Sequence, residues 1–149
     1  MSRVQLALNV DDVAAAIAFY SKLFGAEPAK TRPGYANFAI ADPPLKLVLL
    51  ENPGHGGTLN HLGVEVESSA AVDAERRRLA AAGLASADER GTTCCYATQD
   101  KFWVESAPGG ERWEIYTVLA DSRTFFAESG EGPTCCASDH AACCAAAAL

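Results

Sequence analysis

No stretch of the 149-residue sequence is apolar over the roughly 20 residues that a membrane-spanning helix needs. The late apolar run, residues 141–149, is far too short. A signal peptide is not expected either, because no basic segment precedes the first apolar stretch, and Asp11 and Asp12 interrupt that stretch. These features predict a cytoplasmic protein without a membrane partner.

Basic residues are also scarce. The chain has 12 Lys and Arg against 19 Asp and Glu, for a net charge of −7. An acidic balance argues against nucleic acid and anionic membranes as partners, so we expect a small-molecule partner. Apolar residues make up 49% of the chain, which is enough for the core of one domain.

Cysteines with the wide spacing of a disulfide framework are missing. The six cysteines occur as three adjacent pairs instead. Neighbouring Cα atoms lie about 3.8 Å apart, which is shorter than the usual span of a disulfide. We therefore expect reduced thiols that act as soft ligands. The pairs are Cys94-Cys95, Cys135-Cys136 and Cys143-Cys144.

The first half of the chain predicts a strand, a helix and further strands. Residues 3–10 alternate, with Gln5 on the face opposite the apolar side chains. An Asp pair then predicts a helix N-cap, and Gly25 predicts the end of that helix. Two more strands are predicted at residues 35–40 and 45–50.

The second half repeats this order. Residues 61–66 alternate, with His61 opposite the apolar side chains, and a Ser pair and Gly83 predict the ends of a second helix. A shift of 56 positions places Gln5 on His61, which indicates a duplicated unit. Later strands are predicted at residues 95–98, 102–105 and 112–118.

The predicted fold class is α+β. Residues 1–122 form one domain of two tandem βαβββ modules, at about residues 1–52 and 59–120. The two modules are expected to form a cupped mixed sheet around a metal cleft. Residues 123–149 have no amphipathic period and predict a flexible tail rich in Cys and Ala.

Gln5, His61 and Glu114 are predicted to hold one divalent metal. Gln5 and His61 occupy matching strand positions, and Glu114 lies on the last strand. An imidazole nitrogen, a carboxylate and an amide oxygen suit a divalent first-row metal. Aligning the last strands of the halves places Val48 opposite Glu114, so a fourth protein ligand is missing and positions stay open for water, substrate or dioxygen. The alternative is three ordinary polar residues on half-exposed strands.

Cys94 and Cys95 are the second candidate site. Neighbouring side chains of a regular strand face opposite ways, so a bulge or a strand-entry loop is needed to bring both thiols to one side. Two thiolates suit a soft centre such as trivalent arsenic, cadmium or mercury. The alternative is a pair of small cysteines packed as apolar residues.

The tail cysteines form the third candidate. A disordered segment can collect soft ions without being part of an active site, so these four residues are accessory soft-metal candidates. They are Cys135, Cys136, Cys143 and Cys144.

The duplicated plan with His61 and Glu114 resembles the vicinal oxygen chelate superfamily of glyoxalases, extradiol dioxygenases and bleomycin- or fosfomycin-resistance proteins. Within it, the chain is similar to the carbon–arsenic bond lyases, also labelled cadmium-inducible proteins, over about residues 1–122. The Thr-Thr-Cys-Cys-Tyr motif together with Gln5 is the most specific part of the resemblance. The matching segments are residues 3–12, 33–38, 59–66, 91–101 and 109–116.

The resemblance implies an iron(II)- and dioxygen-dependent enzyme. It would remove the organic group from trivalent organoarsenicals, such as methylarsenite or trivalent aromatic arsenicals, and leave arsenite. Gln5, His61 and Glu114 would be the catalytic metal ligands, with other divalent first-row metals as substitutes for iron. Cys94 and Cys95 would bind the arsenic, and residues 99–108 would close over it. A monomer or a homodimer is expected.

Two other functions stay open on the sequence. A protein that sequesters cadmium or arsenite without turnover would explain the six cysteines, yet it would leave Gln5, His61 and Glu114 without a role. A glyoxalase- or fosfomycin-type metalloenzyme would explain the fold, yet it would make Cys94 and Cys95 incidental.

Overall fold

A computed structural model of the chain describes residues 2–84 and 87–125, with the backbone alone at Ala87. These residues form two compact units, which we call the first module (residues 4–60) and the second module (residues 2–3 and 61–125). In the described part of the chain, no helix has the length and apolar character needed to cross a bilayer. The cysteines of the predicted tail lie outside the described residues.

The first module has one helix and four strands. Strands β1 and β4 are parallel, whereas β4 pairs with β3, and β3 with β2, in antiparallel fashion. The order within this module is β2-β3-β4-β1. The elements are β1 (Arg3–Val10, whose first residue belongs to the second module), α1 (Val13–Phe24), β2 (Lys30–Arg32), β3 (Tyr35–Ile40) and β4 (Leu45–Glu51).

Helix α1 begins and ends at the predicted residues. The side chain of Asp12 accepts a hydrogen bond from the backbone N–H of Ala15, and Gly25 closes the helix with φ 60°. Both are local capping devices. Apolar side chains of α1, including Ile17, Tyr20 and Phe24, pack against a core that β1, β3 and β4 supply.

The alternation along β1 has the predicted period. Leu6 and Leu8 face the core beneath α1. Gln5 on the opposite face is only 4% exposed, so the polar face is buried as deeply as the apolar one. A buried polar side chain needs hydrogen-bond partners. A buried polar face is thus typical of a binding site rather than of a solvent-facing sheet surface.

The second module has the same plan. Strands β5 and β8 are parallel, and β7 pairs in antiparallel fashion with both β8 and β6, in the order β5-β8-β7-β6. The α+β class with mixed sheets is thus confirmed in each module. The elements are β5 (Leu59–Glu65, whose first two residues belong to the first module), α2 (Ser69–Ala81), β6 (Ala87–Cys94), β7 (Ala97–Val104) and β8 (Trp113–Asp121).

Helix α2 repeats the capping of α1. The side chain of Ser68 accepts a hydrogen bond from the backbone N–H of Ala71, 56 positions after the equivalent bond of α1. Gly83 follows the helix with φ 82°. Val72 on α2 is fully buried in a core shared with β7 and β8.

The strand registers support the sequence alignment of the two modules. Ala7 on β1 pairs with Val48 on β4, and Gly63 on β5 pairs with Glu114 on β8. Ala7 and Gly63 occupy equivalent positions in the two modules, and so do Val48 and Glu114. Glu114 therefore stands where the first module carries the apolar Val48.

Three details of the sequence prediction were wrong. Strands β2 and β6 were not predicted, because β2 has only three residues and β6 is mostly polar. The predicted strands 95–98 and 102–105 contribute to one strand, β7, whose polar centre interrupts the apolar pattern. Residues 99–104, expected in a closing segment, pair with β8 on one side, and most of them pair with β6 on the other.

Candidate active site

His61 and Glu114 form a buried pair in the second module. His61 lies on β5 and is 6% exposed, whereas Glu114 lies on the neighbouring strand β8 and is 4% exposed. Nε2 of His61 is 3.3 Å from Oε1 of Glu114. Two donors that bind one first-row metal at about 2.1 Å each are themselves about 3.0–3.4 Å apart, for angles between octahedral and tetrahedral. The pair therefore has the spacing and the donor chemistry that a divalent metal requires.

This pair does not complete a metal site by itself. Among the described residues, no group of three or more His, Cys, Asp or Glu side chains is arranged to hold a metal ion. Further ligands would have to come from other residue types or from solvent. Gln5, the predicted amide ligand, lies buried on β1 in the first module, at the repeat position that corresponds to His61. Its role as a ligand stays a prediction.

Cys94 and Cys95 bring their thiols together at the hairpin between β6 and β7. Cys94 pairs with Ala97, so Cys95 and Tyr96 are the two central residues of the turn. Their φ angles are 54° and 60°, as in a two-residue type I′ hairpin. The sulfur atoms lie 3.3 Å apart, well beyond the disulfide bond length of about 2.05 Å. The two thiols can thus contact one soft atom together.

The turn is an unusual one, because neither central residue is Gly, Asn or Asp. A left-handed conformation of other residues costs of the order of 1–3 kcal/mol and persists only where the surroundings enforce it. Here the carbonyl oxygen of Tyr96 accepts a hydrogen bond from the backbone N–H of Ser122 at 2.9 Å. Its ring packs edge-on against Phe125, with centroids 5.4 Å apart. The expected bulge or entry loop is therefore a strained hairpin.

Strand β7 links the thiol pair to the His–Glu pair. Gln99 donates a hydrogen bond from Nε2 to the carbonyl oxygen of Cys94 at 3.2 Å. Two residues on, Lys101 donates from Nζ to Oε2 of Glu114, also at 3.2 Å. Successive alternate residues of a strand share one face. Cys94 pairs with Ala97, and Ala97, Gln99 and Lys101 are alternate residues of β7, so the two predicted sites lie along the same face of this strand.

Trp103 continues this face of β7. Its ring meets the ring of His61 edge-on, with centroids 5.4 Å apart and planes at 78°. The guanidinium of Arg112 lies over the Trp103 ring, 4.1 Å from its centroid. The Trp103 side chain is only 3% exposed and lies beneath the Arg112 cation, so its position is restricted. It can therefore hold the imidazole of His61 in one orientation.

Glu89 on β6 adds a second carboxylate beside this face. Its Oε2 lies 3.7 Å from Nζ of Lys101. Burial raises the pKa of Glu89, and its electrostatic interactions with Cys94 and Glu114 raise it further, whereas the charge of Lys101 lowers it. The site thus combines thiols, two carboxylates and one buried ammonium group.

Comparison with known proteins places this arrangement in a family. A profile of the Glyoxalase/Bleomycin resistance protein/Dioxygenase superfamily matches residues 3–115. The chain belongs to this superfamily. It matches the Mn(II)-bound glyoxalase from Novosphingobium aromaticivorans with a TM-score of 0.55 at 22% identity, over 86% of this chain and 44% of that one. This likeness confirms the fold.

Two relatives of this superfamily member are much more similar in sequence. A cadmium-induced protein, CadI, from Mycobacterium tuberculosis is 75% identical over 133 residues, which cover 89% of this chain and 84% of the relative. A trivalent organoarsenical cleaving enzyme from Thermomonospora curvata is 60% identical over 137 residues, or 91% and 89% of the two chains. The predicted resemblance to these two kinds of protein is confirmed.

Sequence reasoning gave no individual role to Glu89, Gln99, Lys101 or Trp103. The last three alternate along the chain from the third residue after the Cys-Cys-Tyr motif, which is the period of a strand face. That signal was present, but Gln99 and Lys101 fell in the gap between the two predicted strands, and only Trp103 lay within one of them. Glu89 carried no signal, because only the pairing of β6 with β7 places it opposite Lys101.

Proposed function

We propose that this protein cleaves the carbon–arsenic bond of trivalent organoarsenicals with iron(II) and dioxygen. One oxygen atom leaves in arsenite and the other leaves with the organic group, so that methylarsenite and dioxygen would give arsenite and formaldehyde. The observation that carries the proposal is the placement of the Cys94–Cys95 thiols and the His61–Glu114 pair along one face of β7. The 60% identity to an enzyme named for organoarsenical cleavage supports it. Methylarsenite and trivalent aromatic arsenicals are the proposed substrates.

Cys94 and Cys95 bind the arsenic in this proposal. Each S–As bond forms as a thiol proton and an arsenic-bound hydroxyl group leave together as water. The 3.3 Å spacing of the sulfurs lets one arsenic atom take both bonds. Holding the substrate by two bonds orients its carbon–arsenic bond toward the His–Glu pair, which removes much of the entropic cost of reaction.

His61 and Glu114 would hold the metal, with Gln5 as the proposed third protein ligand. Iron(II) is the proposed ion, and other divalent first-row metals are possible substitutes. When bound, iron(II) supplies the one-electron chemistry that activates dioxygen. The chain's contribution is a buried site in which His61 and Glu114 are both less than 10% exposed, so bulk water is excluded.

The cellular setting follows from the same chemistry. Thiols that must bind arsenic have to stay reduced, which favours the cytoplasm. The partner is a small molecule, with no nucleic acid and no membrane involved, and the protein acts as a monomer or a homodimer.

A second function is favoured by one observation. The most similar relative described above is named for induction by cadmium, and paired thiols also suit cadmium or arsenite. Sequestration without turnover would use Cys94 and Cys95 alone. A glyoxalase-type activity has less support, because it assigns no role to the strained Cys95–Tyr96 turn.

The test is anaerobic reconstitution of the full chain with iron(II), followed by methylarsenite and air. Arsenite release is followed by chromatography with arsenic detection, together with oxygen uptake. We expect arsenite to appear in step with oxygen consumption. The matched control is His61→Ala, which should bind the arsenical and release nothing. Tight arsenical binding by the iron-loaded wild type, with neither arsenite nor oxygen uptake, would establish sequestration instead.

A further inference from the structure

Lys101 is a lysine buried almost completely, at 1% exposure, in the middle of β7. Lysine is among the residues least often buried unless it is paired. Its Nζ donates to Oε2 of Glu114 at 3.2 Å and lies 3.7 Å from Oε2 of Glu89. It also lies 4.9 Å from the centroid of the Trp103 ring. The ammonium group is thus surrounded by two carboxylates and an aromatic face.

Stability alone does not account for this arrangement. Taking an ammonium group out of water is costly, and buried ion pairs are often replaced by apolar residues without loss of stability. Sheet formation does not need a charge at this position either, since Lys101 pairs with Tyr116 through the backbone of β8. We therefore expect the charge of Lys101 to act on the neighbouring His61–Glu114 pair.

The contacts of Glu114 indicate that role. Oε2 of Glu114 accepts from Lys101, whereas Oε1 faces Nε2 of His61 at 3.3 Å. The two carboxylate oxygens therefore have different partners, with Lys101 at Oε2 and His61 at Oε1. A carboxylate without such a restraint can bind a metal through both oxygens and fill an additional coordination position.

We propose that Lys101 is a positioning residue that restricts Glu114 to one metal-facing oxygen and so keeps a coordination position open for an external ligand. This inference deepens the proposed function, because it rests on a metal held by His61 and Glu114. It does not depend on which metal binds or on arsenic chemistry. Partners of a metal ligand commonly change metal-site properties by 10- to 100-fold when they are replaced.

The experiment compares the wild type with Lys101→Met, which keeps the length of the side chain and removes its charge and its hydrogen bond. Both full chains are loaded with cobalt(II), a spectroscopic probe that needs no dioxygen, and are titrated with azide as the external ligand. In Lys101→Met we expect a changed visible spectrum of cobalt(II) and an azide affinity at least about tenfold lower. Lys22→Met removes the same charge at an exposed position of α1 and should behave as the wild type.

A spectrum and azide affinity of Lys101→Met within twofold of the wild type would overturn the proposal. So would a folded variant that no longer binds cobalt(II), since Lys101 would then be needed for binding itself. Should Lys101→Met fail to fold, as judged by circular dichroism, Lys101→Leu, which also lacks a charge and a hydrogen-bond donor, takes its place with the same expected outcomes. A wild type that passes the azide test but releases no arsenite would refute the lyase and leave the role of Lys101 standing.

Discussion

The sulfur atoms of Cys94 and Cys95 lie 3.3 Å apart because a hairpin turn, and not a strand, contains the second cysteine. In a strand these neighbours would point to opposite faces. The left-handed backbone of Cys95 and Tyr96 brings both thiols to one side. The chemistry of the pair thus depends on a strained local conformation.

Replacing either cysteine of this pair should abolish tight binding of trivalent arsenicals. We expect Cys94→Ser to lower the affinity for phenylarsine oxide by at least about 100-fold, because the second S–As bond is an intramolecular event with a high effective concentration. The measurement is titration calorimetry in a background with serine at Cys135, Cys136, Cys143 and Cys144. That background, with Cys94 and Cys95 intact, is the control and should bind tightly. Equal affinities of the background and the variant would contradict the thiol assignment.

Two substitutions of Glu114 should separate metal binding from folding. Glu114→Gln keeps an oxygen that can accept from Lys101, so we expect a folded protein with iron(II) or cobalt(II) affinity lowered by more than about tenfold. Glu114→Ala leaves Lys101 with one carboxylate fewer, and we expect a loss of about 3–5 kcal/mol in the free energy of unfolding. Metal titration and urea denaturation measure the two effects. Glu27→Gln, at an exposed position, is the matched control. Unchanged metal affinity in Glu114→Gln would refute the ligand role.

Asp100 should stabilise the second module in a pH-dependent way. Its carboxylate accepts hydrogen bonds from Oγ of Ser69 at 2.6 Å and from the backbone N–H of Gly91 at 2.8 Å, which hold its pKa below the ordinary 3.8. Since the folded pKa is lowered, this stabilisation is present above pH 3.8 and is lost as the pH falls through the folded pKa. We expect Asp100→Asn to cost about 1–2 kcal/mol at neutral pH.

The measurement for Asp100 is urea denaturation of the wild type and Asp100→Asn at pH 7 and at several values below pH 4. The difference between the two proteins should shrink as the pH is lowered. A difference that stays constant over this range would show that the charge of Asp100 does not contribute.

The N-caps of the two helices should contribute equally to the free energy of unfolding, because they occupy equivalent positions in the two modules. Asp12 and Ser68 each accept a hydrogen bond from the third residue after them. We expect Asp12→Ala and Ser68→Ala each to cost about 1 kcal/mol in the free energy of unfolding. Ser68→Gly is the control and should cost only a few tenths of a kcal/mol. Thermal unfolding measures these differences, and a neutral Ser68→Ala would contradict the capping role.

Most of the first module was predictable from its residues. Strands β1, β3 and β4 form where their apolar patterns predict strands. The predicted end of α1 at Gly25 is also correct. The equivalence of Val48 and Glu114 was also predicted, because turn residues mark the last strand in each half. Strand β6 was not, since its polar residues follow neither the strand nor the helix period.

The sequence by itself determined the capping of both helices, the duplicated module and the candidate ligands, because these depend on short-range chemistry and on residue type. Only the tertiary structure decided that Gln99, Lys101 and Trp103 lie beside Cys94, Glu114 and His61. Those contacts join β5, β6, β7 and β8, and strand pairing between distant segments sets them. A charged residue such as Lys101 is expected at the surface from its type, and only a buried partner across the sheet makes its burial possible.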